Sequence, residues 1–376
     1  MPETAATQAG QTTRLHPGFV GVTAFTTAIC QPSSVGDMLR FRGVDIRDLV
    51  GVRPYDDVWR LLVDDDPGAG PLADIDETEV AAALDVSGTP RVILQRAILR
   101  LGESRGMKPT RGGDAGVLRD DLALLSMAYA VGLGMLLSSP TDPTTAAQRT
   151  DPSSLGVAER LVLAWRGELE PSVVRVVDSL LSTVAEHGTT ASTFAARVVA
   201  STGADAGACV SAGLCAIGGP RHGGATRAVI SLLRDLSVDP AAASRHVERL
   251  LDGGRRLPGM GHRVYRERDP RAPILRGLAE SIDAPLLVVA DAYQQAAEAT
   301  LATRSAGRRL PANPDLWLPV ILDGIGVPDD FMDAFLAGSR IAGWSAHSVE
   351  QVVTGGPLLR PDDIYVGHRA RSLTEP

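Results

Sequence analysis

The sequence predicts a mostly α, all-α fold, and three observations predict it. Aromatic residues are only 4% of the 376-residue chain while hydrophobic residues reach 44%. The core therefore rests on Ala, Leu and Val, a mixture that favours helices over sandwiches and barrels. Long stretches repeat apolar residues at helical spacing, strand-like alternation is scarce, and no fixed repeat is present.

The elements follow in chain order. MPETAATQAGQTTRLHPG lacks the basic-then-apolar build of a signal peptide, so residues 1–17 read as a polar, mobile arm. Val20 to Ile29, rich in Val, Thr and Phe, suggests a short strand or hairpin. In LRFRGVDIRDL, Leu39 to Leu49, turn residues separate apolar anchors. Tyr55 to Val63 reads as a helix with Val58, Leu61 and Leu62 on one face, and Asp64 to Pro71 as a solvated loop. From about Glu77 to Ser138 the spacing is mostly helical. Its apolar run, Leu122 to Leu137, is short for a membrane span and reads as a buried helix. Ser138 to Ser154, polar with three prolines, is the clearest break.

Helical spacing resumes at Val157 to Trp165 and Ser172 to Glu186. Ala191 to Gly219 is crowded with small residues, which lets helices approach closely and suggests a central or dimer-facing pair. Ala225 to Leu236, Pro240 to Asp252, Ala272 to Ile282, Leu286 to Thr303 and Phe331 to Val353 complete the helices, in two lobes.

The formal net charge of −8 argues against nucleic acid as the main partner, although a local arginine cluster can still hold an anion. Three cysteines without a CxxC pair fit a reducing compartment. The expectation is a soluble, cytoplasmic protein with no membrane partner.

Four of the seven histidines, His187, His222, His262 and His347, stand in unusual local sequence. Any one alone reads first as a cap or a buried polar residue. No pair has HExxH spacing, which argues against a metal site. His222 in GGPRHGGA and His262 in PGMGHRVYRERDPRA each follow glycine-containing turns and precede helical stretches. A helix N-terminus disfavours imidazolium, and a neutral imidazole can donate to a carbonyl oxygen without fully protonating it. In the second segment Asp269 suits a cap, Pro270 a first helical position, and Arg271 a carboxylate or phosphate. RRLPANPDLW repeats the grammar, with Asn313 as cap, Pro314 first and Asp315 in the first turn. The dipole would lower the pKa of Asp315 and burial would raise it; which prevails is open at this stage.

Taken together, these motifs resemble the citrate synthase family, of the short bacterial type shared with 2-methylcitrate synthases. LRFRGVDIRDL, HGTTASTFAARV, GGPRHGGA, PGMGHRVYRERDPRA, NPDLW and GWSAHSVEQ with LLRPDDIYVG follow the family's order, over residues 18 to 368, most weakly from Leu72 to Leu155. The resemblance implies a two-domain helical homodimer. Residues 18–222 and 325–376 would form the large domain and 223–324 a smaller inserted one, with the active site in a closing cleft. It implies no bound cofactor, a coenzyme A thioester as substrate, and the tricarboxylic acid cycle condensation of acetyl-CoA with oxaloacetate.

By the same resemblance, Asp315 is similar to the base that deprotonates acetyl-CoA, His222 to the neutral donor at the thioester oxygen, and His262 to the donor at the oxaloacetate carbonyl. His187, Arg271 and Arg340 resemble the residues that hold substrate carboxylates, joined by Arg360 from the partner subunit. Pro258, Gly259, Met260 and Gly261 would meet the CoA adenine through backbone groups, and Arg266 a CoA phosphate. The chain departs from the family at Gly188, Thr189, Thr190, Arg221, Leu318 and Pro319. These departures bear on the substrate more than on the reaction. They keep open 2-methylcitrate synthase, a synthase for another keto acid, and a non-catalytic regulatory relative. Arg221 poses its own question: it either acts on His222 or points into solvent.

Overall fold

The computed structural model describes residues 6–8, 11–13, 15–33, 36, 38–69, 72–110, 114–138, 154–304 and 309–368. Fourteen α-helices dominate them. Two short strands, β1 (Ala6–Gln8) and β2 (Gln11–Thr13), pair antiparallel within the N-terminal arm. The rest of residues 1–14, and most of the proline-rich break at 139–153, lie outside the described residues.

The strand expected at Val20 to Ile29 is absent there. Strands resume only at β3 (Cys30–Pro32), which pairs with β4 (Leu39–Phe41), and β4 with β5 (Val44–Asp45) across an Arg42–Gly43 turn. Side chains, not a neighbouring strand, use the 20–29 segment. Phe25 lies 3.9 Å from the Arg197 guanidinium, and Ala28 donates its N–H to Glu350 at 2.9 Å.

The helices begin where the sequence offers caps. α1 (Tyr55–Asp64) follows Pro54, and α2 (Glu77–Ala83) is capped by Asp76 on the Thr78 N–H. α3 (Pro90–Ser104) starts on a proline, whose missing N–H is an orphan in the first turn anyway. α4 (Ala115–Ser138) is long and apolar enough to cross a membrane, but it is wrapped by protein, with Leu122 to Leu136 buried throughout. α5 (Val157–Arg166) and α6 (Pro171–Thr183) follow. The small-residue run forms α7 (Ala191–Ser201), capped by Thr190, and α8 (Ala206–Ile217), capped by Asp205; the two pack on each other. α14 (Met332–Val353) is the spine against which α1, α3, α4, α6, α7 and α8 pack, and its side chains are buried almost throughout.

A second set packs among itself: α9 (Ala225–Ser237), α10 (Ala243–Asp252), α11 (Arg271–Ser281), α12 (Leu287–Arg304) and α13 (Pro314–Gly324). The two sets meet where α11 touches α6 and α9 touches α14. The turns that carry the candidate residues converge there.

Candidate active site

Most of the candidate side chains sit at helix ends, where the chain turns and side chains can face inward. His187 lies between α6 and α7, His222 between α8 and α9, and His262 between α10 and α11. Arg271 opens α11, Asp315 lies in the first turn of α13, and Arg340 sits inside α14.

The GGPRHGGA turn folds back on the end of α8. The His222 N–H donates to Gly219 and the Gly223 N–H to Ile217, both at 2.9 Å. The ring's Nε2 lies 2.8 Å from Ser192 Oγ on α7. Burial, then the cation of Arg340, holds His222 down at about 4. Arg221 is exposed, and the charge acting on His222 is that of Arg340. The arginine beside the histidine therefore points into solvent.

His262 has its tautomer fixed by its own turn. Nδ1 accepts from the N–H groups of Val264 at 3.1 Å and Tyr265 at 3.2 Å, so a neutral ring carries its proton on Nε2. Nε2 lies 3.5 Å from Arg271 Nη2. Two donors facing each other define a place for an oxygen acceptor. Burial, then Arg271, holds this ring at about 4. His262 does not directly precede a helix: α11 begins only at Arg271, and burial with the Arg271 cation accounts for the neutral ring.

The ring of His187 lies 5.2 Å from that of His262, edge to face. Its buried Nδ1 has no hydrogen-bond partner, and burial, then Arg271 and Arg340, keep the ring well below the usual histidine range. At neutral pH, His187, His222 and His262 are all uncharged.

Asp269 grips Arg271 with both oxygens, at 3.0 and 2.7 Å, and also accepts the Arg271 N–H at 3.0 Å. The cap position falls on Pro270, not on Asp269 as the grammar suggests, and Asp269 accepts the first helical N–H from one residue outside it. Arg340 donates to the Val184 carbonyl at 3.2 Å and to Thr193 Oγ1 at 3.4 Å, and its buried Nε is unpartnered.

Asn313 caps α13 as expected, accepting the Asp315 N–H at 2.9 Å. Burial outweighs the dipole: it pushes the Asp315 carboxyl up to about 6, while Arg271 pulls it back and Asp269 and Asp333 add to the rise. Asn313 also ties the start of α13, with Asp315, to the glycine turn. Its Nδ2 donates to the Gly261 carbonyl at 2.7 Å and its N–H to Gly259 at 3.0 Å. Gly261 donates to Pro311 at 2.7 Å, Met260 to Leu257 at 3.3 Å, and Tyr293 to the Pro258 carbonyl at 2.9 Å. Many of the backbone groups expected to meet a ligand's adenine are thus committed within the protein.

Arg266 is exposed at a cavity of about 460 Å³ lined with His262, Tyr265, Arg309, Leu310 and Pro311. Arg360 is exposed on the extended tail after α14, and no described hydrogen bond or ion pair joins it to this group. Thr190 replaces the expected asparagine with another good cap, accepting the Thr193 N–H at 3.2 Å. Leu318 and Pro319 are buried in α13. Sequence reasoning passed over Ser192, Glu186, Tyr265 and Arg309. Ser192, Tyr265 and Arg309 stand inside quoted motifs but drew no role there; Glu186 carried no local signal. Among the described residues, no three metal-ligating side chains cluster.

The family model for the citrate synthase C-terminal domain matches residues 18–362. A Mycobacterium tuberculosis protein provisionally named citrate synthase 2 is 40% identical over 361 residues, covering 95% of this chain and 94% of the relative. The citrate synthase of Mycolicibacterium smegmatis is 30% identical over 397 residues, covering 98% of this chain and 100% of the relative. Among solved structures, the Thermoplasma acidophilum citrate synthase in ternary complex with carboxymethyl coenzyme A and oxaloacetate has a TM-score of 0.79 at 22% identity, covering 96% of this chain and 98% of that one. The Thermotoga maritima citrate synthase has a TM-score of 0.72 at 24% identity, covering 95% of this chain and 97% of that one. Both share the fold.

Proposed function

The chain belongs to the citrate synthase family of acyl-transferring enzymes, and from that premise we propose that it condenses acetyl-CoA with oxaloacetate and hydrolyses the resulting thioester to citrate and CoA. Asp315 takes a proton from the acetyl methyl group. A carboxyl pushed up to about 6 is a stronger base than an ordinary aspartate and is still mostly ionised at neutral pH. With Ser192 as donor to His222 Nε2, Nδ1–H is left for the thioester oxygen as the enolate forms. A neutral donor suits that step, because it stabilises the developing negative charge without surrendering its proton.

The new carbon–carbon bond forms when the enolate carbon attacks the oxaloacetate carbonyl. The His262 Nε2–H donates to the carbonyl oxygen as it becomes an alkoxide. Arg271, Arg340 and His187 hold the carboxylates, with Arg360 reaching in from the partner subunit of a homodimer. Arg266, with Arg309 beside it, would take CoA phosphates, and the Pro258–Gly261 turn would lie against the adenine. The inserted domain, residues 223–324, closes over the ligands, and three free thiols suit a cytoplasmic setting.

The single observation that carries this reading is the double acceptance at His262 Nδ1, which leaves one donor proton aimed beside Arg271. Release of CoA thiol from acetyl-CoA plus oxaloacetate tests it. No release with any acyl-CoA and keto-acid pair would end the enzyme reading. Faster turnover with propionyl-CoA would move the chain to the 2-methylcitrate branch. Mixed dimers of Arg360→Ala and His262→Ala subunits should regain activity that neither has alone; no recovery would remove Arg360 from a shared site.

A further inference from the structure

Glu186 is a fully buried carboxylate that the chemistry above does not use. Its Oε1 accepts the N–H groups of His187 at 2.9 Å and Gly188 at 2.6 Å. Its Oε2 has no hydrogen-bond partner and lies 3.6 Å from Arg340 Nη2. His347 Nε2, also unpartnered, lies 3.9 Å from Oε1. Two glycines make this placement possible. Gly188 adopts φ 94°, which turns its N–H back toward the carboxylate. A Cβ at position 343 on α14 would strike Glu186 Oε2 and the Ala185 carbonyl.

A carboxylate is a poor neighbour for a site that takes a dianion. Arg340 attracts the keto acid, and Glu186 opposes that attraction. The remaining groups around it do not change the balance. Burial keeps the rings of His187 and His347 neutral and the Cys30 thiol protonated, and Asp269 already neutralises Arg271. Burial raises the Glu186 carboxyl overall, with Arg340 and the two backbone N–H groups pulling against that rise.

We infer that Glu186 tunes the keto-acid subsite as a buried counter-charge to Arg340, weakening the hold on substrate and product carboxylates while anchoring the His187 peptide. The inference rests on the reading above that Arg340 holds a keto-acid carboxylate. Glu186 acts through Arg340 and His187 and is a positioning residue.

Glu186→Gln separates the two duties, because its amide oxygen still accepts both N–H groups while the charge is gone. Thiol release by the unaltered chain is measured first; its absence would fail the proposed reaction, not this inference. With turnover in hand, Glu186→Gln should lower the KM and Kd for oxaloacetate about tenfold and strengthen inhibition by citrate by a similar factor. The KM for acetyl-CoA should hold, and Glu186→Asp should return oxaloacetate affinity toward the unaltered value. Oxaloacetate binding that is weaker or unchanged in Glu186→Gln overturns the inference; unchanged binding is what an already protonated carboxyl would give. A Gln chain that unfolds alone should recover when refolded with oxaloacetate, since the ligand then supplies the missing negative charge; failure to recover also overturns it.

Discussion

Arg271 and Arg340 are both buried, and both bear on His187 and His262, yet they are held in opposite ways. Arg271 is locked by two parallel bonds to Asp269, two positions earlier in the same turn. Arg340 faces Glu186 loosely at 3.6 Å, across the packing of α14 against the α6–α7 junction, with its Nε free. A tight pair fixes a guanidinium in orientation, whereas a loose one leaves donors for something else to satisfy. They also act on different groups. Arg271 is the cation that pulls on Asp315, and Arg340 is the one that depresses His222. One arginine therefore acts on Asp315 and the other on His222.

The largest effect should come from removing each in turn. Arg271→Ala leaves Asp269 as a buried, unpaired carboxylate and should cost about 3–5 kcal/mol of stability. Arg340→Ala should cost clearly less, because the Glu186 carboxyl, already pushed up by burial, can take a proton instead. Denaturant unfolding of both variants checks the order, and equal losses would break the comparison.

The next effect is on pH dependence. As the proposed base, Asp315 must be ionised, so kcat should fall on the acid side with a limb near its raised value of about 6. Neutralising Arg271 removes the cation that pulls this value down, so Arg271→Gln should move the limb upward in whatever activity remains. Arg340→Gln should leave the limb in place. A pH–rate profile for each variant decides, and a common shift would merge the two roles.

The smallest effect concerns the cap under Arg340. Thr190 Oγ1 lies 3.0 Å from Thr193 Oγ1, which accepts from Arg340. Thr190→Asn exchanges one good cap for another and should change stability by no more than about 0.5 kcal/mol. A larger loss, or a changed oxaloacetate KM, would show that the threonine hydroxyl helps to place the arginine.

The same contrast explains how much the sequence revealed. Asp269 and Arg271 belong to one short stretch, DPR, whose cap-and-cation grammar can be read directly. So can Asn313 with Asp315, and the helices α9 to α12 and α14, which apolar spacing places to within a few residues. Glu186 and Arg340 meet only through packing, and nothing local to either announces the other. The strand expected at Val20 to Ile29 failed for a related reason: its β-branched residues suited a strand, but distant Arg197 and Glu350 side chains claimed it first. The pKa of Asp315 stayed open in the sequence because burial is a property of the fold. Arg221, the oddity beside His222, resolved into an exposed side chain.

The Asn313 bonds to Gly259 and Gly261 make the glycine turn and the start of α13 one mechanical piece. Whatever grips that turn also grips the aspartate two residues beyond the asparagine. On the proposed reading, the nucleotide end of the thioester, remote from the reacting carbon, becomes a handle for aiming Asp315, and its binding energy is realised as rate more than as affinity. A truncated acetyl thioester without the nucleotide should lose kcat as well as raise KM. Loss confined to KM would mean that the turn and the base move independently.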